Sequence, residues 1–290
     1  MSAHPDAEPE LIDLMHLGRP HVLGAWRVGD VVVDPGPSSC LSVLAPVLEE
    51  HPPRALALTH IHLDHAGMSG SLIERYPDAE VWVHERGAPH LIDPGRLLRS
   101  AGRLYGADME RLWGEVLPVP AGRVRALRGG EALAPFQVAY TPGHAAHHVS
   151  YLHEATGCAF TGDVTGVRIG AGPVLAPTPP PDIDLQAWRG SLEVIEGWRP
   201  RRLALMHFGA YDDVKAHVAA LREHLDQVEA MAGELDEARF AAAIRARVAG
   251  PAGAGTAAAP GTAAAYEHAM PLQQSFQGLT RYLRGRDGAR

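Results

Sequence analysis

The chain has 290 residues, of which 46% are hydrophobic and 21% charged, enough to bury the core of one large domain or of one domain with an appendage. Its 26 lysines and arginines against 34 aspartates and glutamates give a formal charge of −8, which argues against the concentrated basic surface that nucleic-acid binding requires. The two cysteines, Cys40 and Cys158, lie far apart, which excludes a disulfide framework.

Two features of the sequence bear on location. No stretch approaches the roughly 18 consecutive apolar residues that span a bilayer, so we expect no membrane segment. Residues Met1–Glu10 are polar and acidic, without the basic and apolar regions of a secretion signal. We therefore expect a cytoplasmic protein that acts on a small molecule, with neither nucleic acid nor membrane as a partner.

Apolar strand-like runs alternate along the chain with segments of helical periodicity. The predicted strands are His21–Val28, Val31–Asp34, Ala55–Leu58, Val81–Val83, Val124–Leu127, Phe136–Tyr140, His148–His153, Cys158–Thr161 and Leu203–Met206. The predicted helices are Cys40–Glu50, Ala66–Tyr76, Leu185–Trp198, Asp213–Val248 and, with an apolar face, Tyr266–Leu283.

These elements predict one catalytic domain over residues 21–249, preceded by an N-terminal segment over residues 1–20. Within the domain, residues 87–117 form a helical insertion that prolines and a glycine interrupt. Residues 250–265 are almost entirely alanine, glycine, proline and threonine, which is typical of a flexible linker. The last segment, residues 266–290, is predicted to be a helix that docks onto the domain or joins a homodimer.

The densest group of ligand-type side chains is a His-x-His-x-Asp-His motif over residues 60–65, directly after a predicted strand. Side chains two apart on an extended loop point the same way, so His60 and His62 can bind one ion. Asp64 and His65 fall beyond the turn and point elsewhere. Because the backbone between the four residues is too short to wrap one ion, two neighbouring ions would share them.

Four predicted strands each end close to a metal-type ligand: His60, His144, Asp163 or His207. If these strands lie side by side, their ends meet at one edge of the sheets, where binding sites are commonly built. Nitrogen and carboxylate ligands without a thiolate suit zinc, iron or manganese. The sequence therefore predicts a metal site assembled from residues that lie far apart along the chain.

The order of these ligands, His60-x-His62-x-Asp64-His65 followed by His144, Asp163 and His207, resembles that of the metallo-β-lactamase fold hydrolases. The resemblance covers about residues 21–215. It implies an α/β (α+β) protein folded as an αββα sandwich, with two mixed β-sheets flanked by helices and, here, a C-terminal helical extension. The set is most similar to the glyoxalase II and lactonase branch, because Asp163 occupies the position where the zinc β-lactamases lack a bridging carboxylate.

The resemblance also implies a role for each ligand. His60, His62 and His144 would bind the first ion. Asp64, His65 and His207 would bind the second, and Asp163 would bridge the two. Two divalent ions, zinc in the first place with iron or manganese as alternatives, would hold a hydroxide that attacks the carbonyl of a small ester, lactone or thioester. Asp163 would fix the spacing of the ions and Asp64 would carry a proton to the leaving group, so both are candidate catalytic residues.

Other side chains are candidates for supporting the ligands or contacting a substrate. Ligating imidazoles usually donate their second N–H to a carboxylate or carbonyl, which makes Asp34 and Thr59 candidates for support. The remaining candidates are His84 and His148 near the site, Arg168 and Tyr211 near a substrate, and Tyr105 and Trp113 in the insertion. The histidines at positions 147, 153, 217, 224 and 268 are assigned structural or surface roles.

Two other functions fit parts of the pattern. A persulfide dioxygenase of the same fold works with a single iron, which the complete second set of ligands disfavours. A metal-bound scaffold would act by binding a partner through the final helix. Metal content and oxygen consumption distinguish the first from a hydrolase, and deletion of residues 266–290 tests the second.

Overall fold

The computed structural model describes residues 7–250 and 261–288, and its strands form two six-stranded sheets. The first sheet contains, in spatial order, β1 (Glu10–Asp13), β2 (Gly24–Val28), β3 (Val31–Val33), β4 (Ala55–Ala57), β5 (Glu80–His84) and β6 (Val124–Leu127). The second contains β7 (Ala132–Leu133), β8 (Phe136–Tyr140), β9 (Val149–His153), β10 (Cys158–Phe160), β11 (Arg202–Leu205) and β12 (Gly209–Tyr211).

Both sheets are mixed. In the first, β1 to β3 pair antiparallel and β3 to β6 pair parallel. In the second, β10 and β11 pair parallel and the other neighbours pair antiparallel. The helices are α1 (Leu41–Glu50), α2 (Leu63–Ala66), α3 (Ser69–Arg75), α4 (Ala88–Ile92), α5 (Gly95–Tyr105), α6 (Met109–Trp113), α7 (Leu185–Trp198), α8 (Val214–Glu234), α9 (Glu237–Ala249), α10 (Thr262–Ala269) and α11 (Leu272–Gly288). The predicted αββα sandwich is confirmed.

The alternation of side chains along short strands creates the layers of the sandwich. Val31 and Val33 of β3 point into the core between the two sheets, whereas Val32 joins the core beneath the helices. Successive side chains of a strand point to opposite faces, so a strand covered on both sides is apolar throughout. Across the inner core, Trp26 of β2 meets Phe160 of β10 edge-on at 5.8 Å between ring centroids. The two sheets therefore share one apolar core.

Several predicted boundaries change in the structure. The helix predicted over Ala66–Tyr76 is two helices, α2 and α3, and the first begins at Leu63, so Asp64 and His65 lie within it. The helix predicted over Asp213–Val248 is also two, α8 and α9, because Asp236 caps a new helix by accepting a hydrogen bond from the Arg239 N–H at 2.8 Å.

The two ends of the described chain join the domain. Strand β1, inside the predicted N-terminal segment, pairs with β2. The predicted linker lies largely outside the described residues, and its last four positions belong to α10. The single helix predicted from Tyr266 is wrong, because α10 ends before Pro271, which cannot extend it, and α11 follows. Helix α11 packs on α8 and α9. No helix among the described residues is both long and apolar enough to cross a membrane.

Candidate metal centre

Strand direction brings the distant ligands to one edge of the sandwich. β8 and β10 each pair antiparallel with β9, and β11 pairs parallel with β10, so β8, β10 and β11 all run in the same direction. The loops that follow these three strands carry His144, Asp163 and His207. β4 of the other sheet delivers His60 to the same edge. The expected meeting of four strand ends is therefore present, shared between the two sheets.

Three imidazoles form the first part of the centre, which we call the three-histidine group. His62 Nδ1 lies 3.0 Å from His60 Nε2 and 3.0 Å from His144 Nε2. The ligand atoms of all three residues lie within 4.8 Å of one another. His60 and His144 are buried, and His62 is half-buried and faces the neighbouring cavity.

Asp64, His65 and His207 form the second part, which we call the mixed group. Asp64 Oδ2 lies 3.5 Å from His207 Nε2 and 3.9 Å from His65 Nε2. The two imidazoles are buried, whereas Asp64 is half-buried and also faces the cavity. These distances exceed those of hydrogen bonds, so the three ligand atoms surround a space.

Asp163 lies between the two groups. Its Oδ2 is 3.3 Å from His144 Nε2 of the three-histidine group. Its Oδ1 is 3.2 Å from His65 Nε2 and 3.4 Å from His207 Nε2, both of the mixed group. Each oxygen of one buried carboxylate therefore faces a different group.

The donor atoms fit divalent ions. His65 Nε2, His207 Nε2 and Asp163 Oδ1 are buried without a hydrogen-bond partner. A polar atom buried in this way costs about 1–3 kcal/mol, and three of them converging on one space are explained by a cation that they jointly coordinate. Imidazole and carboxylate are the ligands that zinc, iron and manganese accept.

Backbone and carboxylate acceptors orient three of the rings. His144 Nδ1 lies 2.9 Å from the Pro177 carbonyl and His207 Nδ1 lies 3.0 Å from the Val22 carbonyl. A carbonyl can only accept, so Nδ1 carries the hydrogen, and Nε2 of the neutral ring presents its lone pair to the centre. His65 Nδ1 has the same arrangement with Asp34 Oδ2, at 2.9 Å.

Asp34 is held in turn by Thr59, as a supporting layer requires. Thr59 donates to Asp34 from its backbone N–H at 2.8 Å and from its hydroxyl at 2.7 Å. The same hydroxyl lies 3.1 Å from His60 Nδ1, so this pair contacts ligands of both groups. The structure thus brings the two predicted supporting residues against the ligands.

Burial and charge act differently on the two groups. Burial lowers the pKa of His60 well below its ordinary value, lowers that of His62, and lowers that of His144 to about 4. These imidazoles are therefore neutral at pH 7, as metal ligands must be. The three-histidine group can accept an ion without releasing a proton.

In the mixed group, neighbouring carboxylates outweigh burial. Burial lowers the pKa of His65, but Asp163, Asp34 and Asp64 raise it well above its ordinary value. Asp163 and Asp64 likewise raise the pKa of His207 against the effect of burial. Burial also opposes the charged forms of Asp64 and Asp163, yet the imidazoliums hold the pKa of both carboxyls below the ordinary range. Without metal, protons supply the positive charge that these carboxylates require.

Two glycines allow the ligand loops to come close. Gly162, which precedes Asp163, has φ +45°, and a Cβ there would overlap the Thr59 hydroxyl and lie 2.8 Å from His148 Nε2. Gly143, which precedes His144, has φ +136°, and a Cβ there would overlap the backbone of Trp188. Only a residue without a side chain fits either position, so both glycines help to place a ligand.

The remaining candidates occupy other surroundings. His148 is buried behind the centre, with its ring 5.1 Å from that of His60 and its Nδ1 2.9 Å from the Thr141 hydroxyl. His84 stacks on Tyr140 with 4.4 Å between centroids, away from the ligands. His147, which sequence reasoning assigned to a structural or surface role, lies 5.9 Å from His62 between ring centroids.

Arg168 and Tyr211 contact protein rather than open space. The Arg168 guanidinium contacts both oxygens of Asp213, at 2.8 and 2.9 Å, and lies over the Tyr211 ring. Its backbone N–H donates to the His207 carbonyl at 2.7 Å. The Tyr211 hydroxyl lies 2.7 Å from the Arg168 carbonyl and 2.8 Å from that of Phe208. Both residues brace the loop that carries His207, and a contact of either one with substrate stays a prediction.

A cavity of ≈ 100 Å³ adjoins the centre, and we call it the pocket. His62, Asp64 and Asp163 form its floor, and Leu97 and Tyr105 of α5 form one side. The other sides are residues 177–181 and residues 269–275 around the break between α10 and α11. Of the two aromatic candidates, Tyr105 lines the pocket, whereas Trp113 stacks on His16. Sequence reasoning missed the C-terminal side of the pocket.

The fold and the site together identify a class of protein. Its members are αββα sandwiches that have imidazole and carboxylate ligands on the loops at one edge of two facing mixed sheets. The sequence model of the metallo-beta-lactamase superfamily matches residues 29–207, and the chain belongs to that superfamily. The family resemblance on which the sequence prediction rested is confirmed.

Curated relatives match parts of the chain. The metallo-beta-lactamase fold-containing protein ST1585 of Sulfurisphaera tokodaii is 29% identical over 181 residues, which are 60% of this chain and 65% of that protein. A hydroxyacylglutathione hydrolase of Xylella fastidiosa is 31% identical over 153 residues, 51% of this chain and 45% of the hydrolase. The chain thus spans 65% of the length of ST1585 and 45% of the length of the hydrolase, which is less than two thirds in both cases.

Solved structures extend the similarity of the fold. The structure of ST1585, described as from Sulfolobus tokodaii, superposes with a TM-score of 0.68 at 22% identity and covers 94% of this chain and 98% of that one. TTHA1623 in a di-iron-bound form has a TM-score of 0.51 at 25% identity and covers 73% of this chain and 92% of its own.

Proposed function

We propose that the protein is a dinuclear metal-dependent hydrolase that cleaves the carbonyl-linked bond of a small ester, lactone or thioester. The observation that carries the proposal is the position of Asp163, whose two oxygens face the three-histidine group and the mixed group separately. One carboxylate shared in this way suits a pair of ions, because each of its oxygens can bind one of them.

Two divalent ions at this centre would lower the pKa of water towards neutrality and polarise a carbonyl oxygen. The chain supplies the rest of the chemistry. Pro177 and Val22 fix the ring orientation of His144 and His207, and Asp34 fixes that of His65. Asp64 is the half-buried carboxylate that faces the pocket, and its lowered pKa keeps it ionised at neutral pH, as a metal ligand must be. Leu97, Ala101 and Leu104 give the pocket an apolar wall beside the reacting groups.

The relatives support the same reaction class. A hydroxyacylglutathione hydrolase is by name a thioester hydrolase, and its match includes about half of this chain. We propose zinc as the metal, with iron or manganese as alternatives, since the donor set accepts all three and a similar structure is described with two irons. We also propose a small-molecule substrate and a cytoplasmic location.

The test measures metal and activity on the same sample. The purified full chain is analysed for zinc, iron and manganese and assayed against a panel of lactones, thioesters, esters and phosphodiesters. We expect two ions per chain and hydrolysis of a carbonyl substrate. One iron per chain with oxygen consumption on a persulfide would replace the proposal with a dioxygenase. Bound metal without any turnover would favour a scaffold.

A further inference from the structure

A second cavity, which we call the arginine groove, opens beside the pocket. The two cavities share His62, Leu97 and Ser100, so they adjoin each other along α5. The groove has a volume of ≈ 460 Å³ against ≈ 100 Å³ for the pocket. Four cationic side chains line it: Arg96, Arg99, Arg103 and Arg281. Asp182 is the one acidic residue among its described lining residues.

Helix α5 presents a different face to each cavity. Arg96, Arg99 and Arg103 follow a spacing of three and then four residues, which places them on one face of a helix. At a rise of 1.5 Å per residue, this row is about 10 Å long. Leu97 and Leu104, on the adjoining face, line the pocket. One helix therefore offers an apolar surface near the metal centre and a cationic surface farther out.

The four arginines are available for binding. Each is exposed, and within the described parts of the chain none of them lies within 4.0 Å of a carboxylate oxygen. Arginines elsewhere, such as Arg168 and Arg202, are paired with aspartates. In a chain with a formal charge of −8, four unpaired cations in one groove form a local positive field that attracts anions.

We propose that the arginine groove binds an anionic group, a carboxylate or a phosphate, that the substrate carries at a distance from the bond to be cleaved. The guanidinium fork matches both anions with paired, charge-assisted hydrogen bonds. The uncharged, reactive part of the molecule then lies in the pocket against the apolar face of α5. This assignment rests on the proposed hydrolase function and narrows its substrate class to anionic esters and thioesters.

Binding can be measured without turnover. Glutarate, as a carboxylate, and phenyl phosphate, as a phosphate, are titrated calorimetrically into the metal-loaded full chain and into the triple variant Arg96→Gln, Arg99→Gln and Arg103→Gln. The matched control changes three exposed arginines outside the groove, Arg19→Gln, Arg201→Gln and Arg284→Gln. We expect at least about tenfold weaker binding of one anion or both in the groove variant, as loss of a charge-assisted hydrogen bond implies. Equal affinities in the groove and control variants would overturn the proposal, and the more affected anion identifies the preferred group.

Kinetics then link the groove to the reaction. Two aryl acetates are compared that differ only at the end of a butyl chain para to the ester, where one has a carboxylate and the other a neutral amide. We expect the ratio of kcat/KM, carboxylate over amide, to fall about tenfold in the groove variant relative to the control variant. Hydrolysis with the same ratio in both variants refutes the groove and leaves the hydrolase. Groove-dependent anion binding without hydrolysis of either acetate or of any carbonyl substrate in the panel above refutes the hydrolase and retains the groove as an anion site.

Discussion

The three-histidine group and the mixed group lie side by side, yet their electrostatics are opposite. Burial keeps His60, His62 and His144 neutral, so an ion bound there brings the only charge. In the mixed group, three carboxylates raise the pKa of His65, so an ion must displace protons. The difference teaches that the two positions of one centre can respond differently to pH, although they lie within a few ångströms of each other and Asp163 faces both.

The largest effect should come from the one residue that both groups share. In Asp163→Asn, an amide replaces the carboxylate between the groups and removes its charge. We expect no more than one ion per chain and a fall in kcat/KM greater than the roughly 10–100-fold that loss of a supporting contact costs. The control is Asp184→Asn, which keeps the cap of α7 outside the centre. Two ions and unchanged kinetics in Asp163→Asn would show that the groups do not depend on a shared carboxylate.

Substitution of one candidate ligand from each group should show that the two groups release different numbers of protons when they bind zinc. Zinc is titrated into metal-free protein at pH 7 in weak buffer, and the protons released per ion are counted. The chain should release protons when the mixed group fills, and His207→Ala should release fewer, whereas His62→Ala should keep the release and lose an ion. Equal proton release in the two variants would contradict the asymmetry.

The difference in pKa between the two groups also predicts how the metal affinity of each group changes with pH. The raised pKa values of His65 and His207 mean that both hold their protons to a higher pH than an ordinary imidazole, so the affinity of the mixed group for metal should increase as pH rises. The three-histidine group, with His144 at about 4, should bind with little pH dependence above about pH 5. Activity lost on acidification should therefore return when zinc is added in excess, and a loss that zinc leaves unchanged would argue for another cause.

A smaller effect is expected from Asp34, which supports the candidate ligand His65. Asp34→Asn weakens the acceptor that orients His65 and removes one negative charge from its surroundings. We expect the mixed group to lose about 10–100-fold in metal affinity while the three-histidine group changes little. Asp30→Asn, which removes a surface partner of Arg54, is the control. Competition with a fluorescent zinc chelator measures both affinities, and a uniform loss would indicate general unfolding instead.

The smallest effect is expected from His224, and it distinguishes loss of metal at low pH from unfolding of the protein at low pH. Burial lowers the pKa of His224 from 6.5 to about 3, although it lies outside the centre on α8. Between pH 6.5 and about pH 3, His224 is therefore protonated in the unfolded chain and neutral in the folded chain. The stability that the neutral ring contributes is present above pH 6.5 and is lost as the pH falls towards 3. In metal-free protein, His224→Gln should shift the difference in unfolding free energy between pH 7.5 and 5 by on the order of 1–2 kcal/mol, measured by denaturant titration. An unchanged difference would assign acid sensitivity to other groups.

The ligands were visible in the sequence because their chemistry lies in side chains that follow apolar strands. Asp34 and Thr59 were also accessible to sequence reasoning, since an acid at a strand end is a natural partner for imidazole. The carbonyls of Pro177 and Val22 were not, because every residue has a carbonyl and only the fold selects these two. The protein contacts of Arg168 and Tyr211 could not be predicted for a related reason: a charge or hydroxyl near a ligand in sequence does not reveal which way its side chain turns.

The C-terminal helices were the other feature beyond sequence reasoning. Their apolar face predicts docking, and α11 does pack on α8 and α9, but the pattern does not show where the docked segment ends. Gly278 lets α11 approach so closely that a Cβ there would overlap the Thr178 carbonyl, in the loop next to the Pro177 partner of His144. A homodimer through this segment stays a prediction.

The chain order of the pocket bears on how the protein matures during synthesis. Residues 269–275, which form one side of the pocket, emerge from the ribosome well after all seven ligands. A nascent chain with all seven candidate ligands would therefore present a more open centre to the cell's metal supply than the finished fold, in which α10 and α11 add the last side of the pocket. The metal available during synthesis, rather than later exchange, would then decide which ion the mature protein carries.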